Sequence, residues 1–382
     1  MSVQQSIENI SNLAKSLNQM FYERQDEVRI LLLALCSKEH VFMLGEAGVS
    51  KSLLVKAIAE SLESSYFESL LCKDSKADQL FGPFKISDLK KDERNRNTKG
   101  MLTESEIVFL DECFKANSTI LNNLLKIMNE KEFYNNGQWN DIPLKSLFGA
   151  SNELPQDQSL KALYDRFLFR KNVSSIQKQN NFASLMKSSI DIKSLPKVKY
   201  EDFENVYNAS KTVEDCDKVI GALYRIKKDL NITSDRKCLK AYKAMKVAAV
   251  LSGRDKVSVK DLLILQHIFW DKPQDIAEVS AKIAQFVGSK VKDAVSLVQR
   301  FLSQLGLDIS LASDSDQCIA KIKALGKTEN MSLLASVRKD CSNIEAELQA
   351  LADEDDDCIE IHEQYKDYWK AFQTALKSSI GI

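Results

Sequence analysis

The sequence predicts an α/β protein in which a parallel sheet flanked by helices gives way to helices alone. Three observations carry this reading. Residues 41–44 (VFML), 107–110 (IVFL) and 146–150 (SLFGA) are apolar runs of strand length, each followed by helical sequence. A strand covered on both faces reads as such a continuous run. Only 12 glycines and 5 prolines punctuate the 382 residues, which leaves long helices few breaks. Beyond about residue 190 no further strand-like run occurs.

In chain order, residues 1–39 read as a helix pair, the second built on the apolar run 28–36. The first strand, 41–44, runs into Gly45-Glu-Ala-Gly48-Val-Ser-Lys51-Ser52 and a helix from Leu53 to about Leu62. A polar, highly charged stretch at 85–102 interrupts the core pattern. The second strand ends in Asp111-Glu112, and a helix follows from Ser118 to about Asn129. Asn136-Gly137, inside 133–139, is a hairpin turn signal. The third strand ends at Ser151-Asn152-Glu153. Residues 200–270 read as helices, broken at Ser252-Gly253 and restarted at Ser258-Val-Lys-Asp261. From about 274 the pattern is long and amphipathic, with an acidic break at 352–357. Tyr365, Tyr368, Trp369 and Phe372 in the tail suit a packed helical hairpin, with a docking surface for a partner as the alternative.

Composition narrows the function. With 44% hydrophobic and 28% charged residues the chain can build a packed core. Its 53 basic and 54 acidic side chains leave a net charge of −1, without the basic excess that phosphate neutralisation requires, so no nucleic-acid partner is expected. The eight cysteines include no CxxC pair and the three histidines are far apart, which argues against structural zinc. No membrane-length apolar run and no secretory leader pattern is present, so a cytoplasmic protein is expected.

Four elements carry chemistry. A loop that binds phosphate needs inward backbone N–H groups, a lysine for the β/γ-phosphates and a hydroxyl for Mg²⁺, backed by a helix N-terminus. Gly45, Glu46, Ala47, Gly48, Val49, Ser50, Lys51, Ser52 and Leu53 form such a stretch, with Lys51 and Ser52 in the last two roles. Ser50 stands where the common pattern has glycine. Asp111 and Glu112 close an apolar strand at the edge where α/β sheets bind ligands. Asp111 suits the Mg²⁺ shell and Glu112 the polarisation of a water. Asn152 could orient that water. Arg166 could act as a finger that stabilises transition-state charge on a neighbouring copy's phosphate.

With these elements in order, the chain resembles the AAA+ ATPases and, among them, the MoxR family; the nearest subgroup is the RavA-type regulatory ATPases. The similar stretches are Phe21-Tyr-Glu-Arg24, 44–52 (LGEAGVSKS), 80–83 (LFGP), 104–112 (ESEIVFLDE), 120–125 (ILNNLL), 150–155 (ASNELP) and 162–167 (ALYDRF). MoxR members often carry alanine at the position of Ser50 and proline at that of Glu46. The resemblance implies ATP and Mg²⁺ as ligands, Tyr22 and Glu23 as further nucleotide contacts, and Arg236, in Ser234-Asp-Arg236, as a lid arginine reaching the nucleotide. It implies a nucleotide-binding core over 1–190 with insertions at about 84–103 and 132–143. An all-α lid over 191–273 and a helical extension over 274–382 complete the expected layout. It further implies a homo-oligomer, a hexameric ring, working with a von Willebrand factor A (VWA) domain partner on a protein client in a chaperone-like role. Two other functions remain open at this point: a nucleic-acid-stimulated motor, and a nucleotide-gated scaffold with slow turnover.

Overall fold

The computed structural model describes residues 2–187, 190–287, 289–305, 307, 315–325, 331–354 and 358–380. The acidic stretch 355–357 lies outside them. The chain forms two compact units. The first comprises residues 1–214, 233–255 and 267–276, the second 215–232, 256–266 and 277–382.

The first unit opens with α1 (Val3–Met20) and α2 (Gln25–Ser37). Then come β1 (Val41–Leu44), α3 (Lys51–Ser61), β2 (Tyr66–Leu70), α4 (Ala77–Phe81), α5 (Ile86–Leu89), β3 (Ile107–Asp111) and α6 (Ser118–Glu130). The hairpin β4 (Glu132–Asn135) and β5 (Gln138–Asp141) precedes β6 (Ser146–Ser151), α7 (Gln158–Tyr164), β7 (Phe169–Asn172), α8 (Gln179–Lys187) and α9 (Tyr200–Ser210). Between α9 and α11 (Asp235–Leu251), the chain contributes α10 (Asp217–Asp229) to the second unit.

Five strands form one all-parallel sheet in the order β2-β3-β6-β1-β7. The three central strands are those the apolar runs predict. The two edge strands are additions, and their composition explains why. β2 (YFESL) is only partly buried, with Leu70 67% exposed. β7 (FRKN) contains a fully buried Arg170 and a Lys171 that pairs with Asp26 at 2.8 Å. Neither shows an apolar run, because an edge strand has one neighbour and one open side.

The hydrophobic core beneath the sheet joins Phe42, Leu110, Leu124, Leu147 and Phe167. Phe42 packs its ring against Phe114 and Tyr164 at centroid distances of 5.0 and 5.3 Å. Burying apolar surface at about 25 cal/mol per Å² makes such a cluster the main stabilising contribution of the unit. On the other side of β1, α2 is buried along almost its whole length, and α9 and α11 pack on it. At the outer edge, Arg170 donates to the Trp270 carbonyl at 2.6 Å, pairs with Asp271, and lies over the Tyr164 ring at 3.7 Å. That cluster binds 267–276 into the first unit.

The elements described in the second unit are all helices. A 3-10 run, Val259–His267, begins after Ser258, whose N–H is capped by the Asp261 carboxylate at 2.8 Å. The remainder is α12 (Asp275–Val287), α13 (Ser289–Gln304), α14 (Ser315–Leu325), α15 (Met331–Glu354) and α16 (Ile359–Ile380). Tyr365, Tyr368 and Phe372 are fully buried, and Phe301 meets Tyr365 and Phe372 edge-on. Three of the four tail aromatics thus serve internal packing, while Trp369 is half-buried and stacks on Phe372 at 5.4 Å. No described helix is long and apolar enough to cross a membrane.

Candidate active site

The parallel sheet sets the geometry, because every strand delivers its last residue to the same edge. Leu44 of β1 pairs with Ser151 of β6, and Leu70 of β2 pairs with Asp111 of β3. The loop 45–50, the Asp111-Glu112 pair and Asn152 are therefore brought together at one edge of the sheet.

The loop leaves β1 through Gly45, where a Cβ would stand 2.4 Å from the Val173 carbonyl oxygen, so only glycine fits. Gly48 takes φ +85°, a left-handed geometry natural to glycine. Ser50 is left-handed too, at φ 64°, ψ 23°, which costs a non-glycine residue roughly 1 kcal/mol. Ser50 is the N-cap of α3, yet its side chain makes no capping hydrogen bond. The first N–H groups of this 11-residue helix are thus uncapped by that hydroxyl, an arrangement that suits an anion.

Lys51 is 8% exposed and donates to the carbonyls of Gly45 and, at 2.9 Å, Glu46. Burial pushes its pKa down, and the nearby Asp111 and Glu112 carboxylates push it back up. Glu112 adopts φ 51°, and its Oε2 accepts from Ser151 Oγ at 3.2 Å and lies 3.3 Å from Lys115 Nζ. Asp111 Oδ1 accepts from the Glu112 N–H at 3.0 Å. Beside them the buried Cys113 thiol is held neutral, its pKa raised by burial and then by both carboxylates.

These residues fit a magnesium-bound nucleoside triphosphate. The uncapped helix start and the Lys51 ammonium suit the phosphates, and Ser52 and Asp111 are hard oxygen donors of the kind Mg²⁺ selects. Glu46 and Asn152 are at the rim of this edge, with Asn152 exposed.

Tyr22 and Glu23 immediately precede Arg24, whose guanidinium reaches the Val49 carbonyl of the loop. Tyr22 lines a cleft of about 300 Å³ with Ser16, Gln19, Met20, Ser194 and Leu195. The Glu23 carboxylate accepts from the N–H groups of Gln177 (2.7 Å) and Lys178 (2.9 Å) and from Asn181 Nδ2 (2.9 Å). Those bonds hold its pKa low and occupy it at the start of α8.

Arg166 and Arg236 gather at the opposite edge. Arg166 lies three residues before β7, whose first residue pairs with the first of β1. Arg236 donates to Asn129 Oδ1 at 3.0 Å, and Asn129 follows Met128, whose carbonyl meets His40 Nε2 at 3.1 Å just before β1. Burial and then the Arg236 charge lower the pKa of Arg166, and its Nε is buried without a partner. β1 separates the two edges by roughly 13 Å at about 3.3 Å per residue. Within one chain, then, neither arginine joins Lys51. Spacing alone gave no sign of Arg24, Lys115, Ser151 or Asn129, since their partners are fixed by tertiary packing.

The nucleotide loop, the acidic strand end and the five-stranded order define the P-loop ATPase class of α/β folds. Residues 8–208 match the model of the MoxR domain of MoxR-vWA-beta-propeller ternary systems, and residues 218–283 match an AAA lid domain. An uncharacterized protein of Methanocaldococcus jannaschii is 40% identical over 304 residues, 78% of this chain and 80% of that protein. A second from the same organism is 41% identical over 279 residues, 72% of this chain and 74% of that protein. The crystal structure of a candidate ATPase from Cytophaga hutchinsonii superposes with a TM-score of 0.60 at 16% identity, covering 75% of this chain and 95% of that one, a likeness of fold. The chain belongs to the MoxR family of AAA+ ATPases.

Proposed function

We propose that this protein hydrolyses ATP in a homo-oligomeric ring and uses the cycle to remodel protein complexes. The observation that carries the reading is the meeting of Lys51 with Asp111 and Glu112 beside an uncapped helix start. In this reading the main chain of 45–50 and the Lys51 ammonium bind the phosphates. Ser52 and Asp111 would hold Mg²⁺, which supplies charge neutralisation when bound. Glu112 accepts hydrogen bonding from the attacking water, and Asn152 orients it.

Arg166 and Arg236 would serve a nucleotide held by an adjoining copy, because their own chain's loop is at the far edge. Their mutual repulsion, with Arg166 Nε unpartnered, supports a site that awaits an anion. The core over 1–190, lid over 191–273 and helical extension over 274–382 are the proposed division of labour. A VWA-domain protein is the proposed partner, since the matching MoxR domain is described from MoxR-vWA systems.

A second reading, a nucleotide-gated scaffold with slow turnover, is favoured by the Lys51 ammonium resting on carbonyls of its own loop. Steady-state phosphate release separates the two. The ATPase reading expects multiple turnovers lost in Glu112→Gln with binding retained. Wild-type protein that binds ATP but releases at most one phosphate per chain supports the scaffold. Capture of a VWA-domain protein by ATP-loaded Glu112→Gln protein tests the remodelling role, and a catch without one counts against that partner.

A further inference from the structure

We propose that Arg24 is a positioning residue that sets the shape of the phosphate loop by strapping it to the chain leaving β7. This rests on the nucleotide reading of the loop but is built from contacts that do not involve a ligand. Arg24 lies between α1 and α2 and is 6% exposed. Its Nε donates to the Val49 carbonyl at 3.3 Å, one terminal nitrogen to the Glu23 carbonyl at 2.8 Å, and the other to the Ser174 carbonyl at 2.7 Å. Every described hydrogen bond of this buried cation thus ends on a main-chain carbonyl. Lysine concentrates its three donors on one nitrogen, which cannot bridge carbonyls as widely separated as those a planar fork spans.

Residues 173–174 form the wall against which both ends of the loop rest. At the entry, the Val173 N–H donates to the Leu44 carbonyl at 2.7 Å, and the Val173 carbonyl closes the space a Gly45 Cβ would need. At the exit, Arg24 ties Val49 to Ser174. The exit is where the loop must hold Ser50 in a left-handed conformation, a geometry that persists only when its surroundings over-determine it. The adjoining Glu23 continues the strap, its carboxylate gripping the N–H groups of Gln177 and Lys178 ahead of α8. Glu23 is itself left-handed at φ 56°, so the dipeptide faces its two functional groups to different stretches of the same segment.

The test compares the full chain with Arg24→Ala, Arg24→Lys and Glu23→Gln. Without nucleotide, Arg24→Ala should speed amide hydrogen exchange in peptides covering 45–53 by about tenfold or more, the effect of losing charged hydrogen bonds, while 107–111 in β3 is unchanged. Arg24→Lys should recover part of that protection, and Glu23→Gln should loosen 174–187 more than 45–53. A fluorescent ADP analogue should bind Arg24→Ala about tenfold more weakly, with kcat at saturating ATP within about threefold of wild type. Unchanged exchange at 45–53 overturns the proposal. So does exchange that rises equally in β3, which would make Arg24 a general stability residue. If wild-type protein fails to bind the analogue, the nucleotide reading falls, and the exchange result still decides the strap.

Discussion

The two edges of the parallel sheet differ in how completely their polar groups are paired. At the edge where the strands end, Lys51 interacts with Asp111 and Glu112, and Glu112 in turn meets Ser151 and Lys115, so that these charges have opposite neighbours. At the edge where they begin, Arg166 and Arg236 repel each other, with Asp165 and Glu39 as acidic neighbours, and Arg166 Nε has no hydrogen-bond partner. In the proposed reading the first edge is an enzyme half-site and the second its complement for an adjoining copy, so that one copy binds substrate and a second completes the reaction.

The severest test of this contrast removes one edge at a time. Lys51→Ala should abolish nucleotide binding, read by isothermal titration, and Glu112→Gln should keep binding while turnover drops below detection. Arg166→Ala should leave binding intact and lower turnover about 10³-fold, the magnitude of an arginine finger. Mixed with Glu112→Gln protein, it should regain part of the activity, since each partner supplies the edge the other lacks. An Arg166→Ala protein that hydrolyses ATP at the wild-type rate as a monomer would remove the basis of the comparison.

A smaller effect is expected from pH at the starting edge. His40 is buried, accepts from the Leu147 N–H through Nδ1 and meets the Met128 carbonyl through Nε2, and burial lowers its pKa from 6.5 to about 3. The unfolded chain therefore binds a proton that the folded chain refuses between those values. The stabilisation is present above the unfolded pKa and lost as pH falls towards the folded one, at about 1.4 kcal/mol per pH unit. His40→Gln should flatten the fall of denaturant stability between pH 6 and pH 4, whereas an unaltered slope would place the titration elsewhere.

The smallest change concerns the ending edge. Ser50→Gly relieves a left-handed cost of about 1 kcal/mol, and the added freedom of the unfolded chain offsets roughly half of it. A rise in thermal midpoint of a degree or two is expected; a fall would mean that the serine side chain holds the loop.

Much of the ending edge was legible in the sequence because its strands are buried on both faces and finish in charged residues at fixed positions. β1, β3 and β6 announce themselves as unbroken apolar runs. β2 and β7 do not, since an exposed Leu70 and a buried Arg170 reverse the usual code for inside and outside. The starting edge was legible only as isolated arginines. That Arg236 sits by Asn129, 107 positions away in sequence, follows from how α11 packs on α2 and α9, which no local pattern encodes. The partners of Arg24 were hidden for the same reason, lying 25 and 150 positions away.

The chain's itinerary bears on any attempt to dissect it. It leaves the first unit after 214, returns for 233–255, departs again and comes back for 267–276 before the final run of helices. No single cut can therefore separate the two units cleanly. A polypeptide stopped at 214 would strand the Arg170 guanidinium without Trp270 and Asp271 and strip α11 from α2 and α9. Such a fragment should be insoluble or molten, and a minimal soluble piece has to extend to at least residue 276.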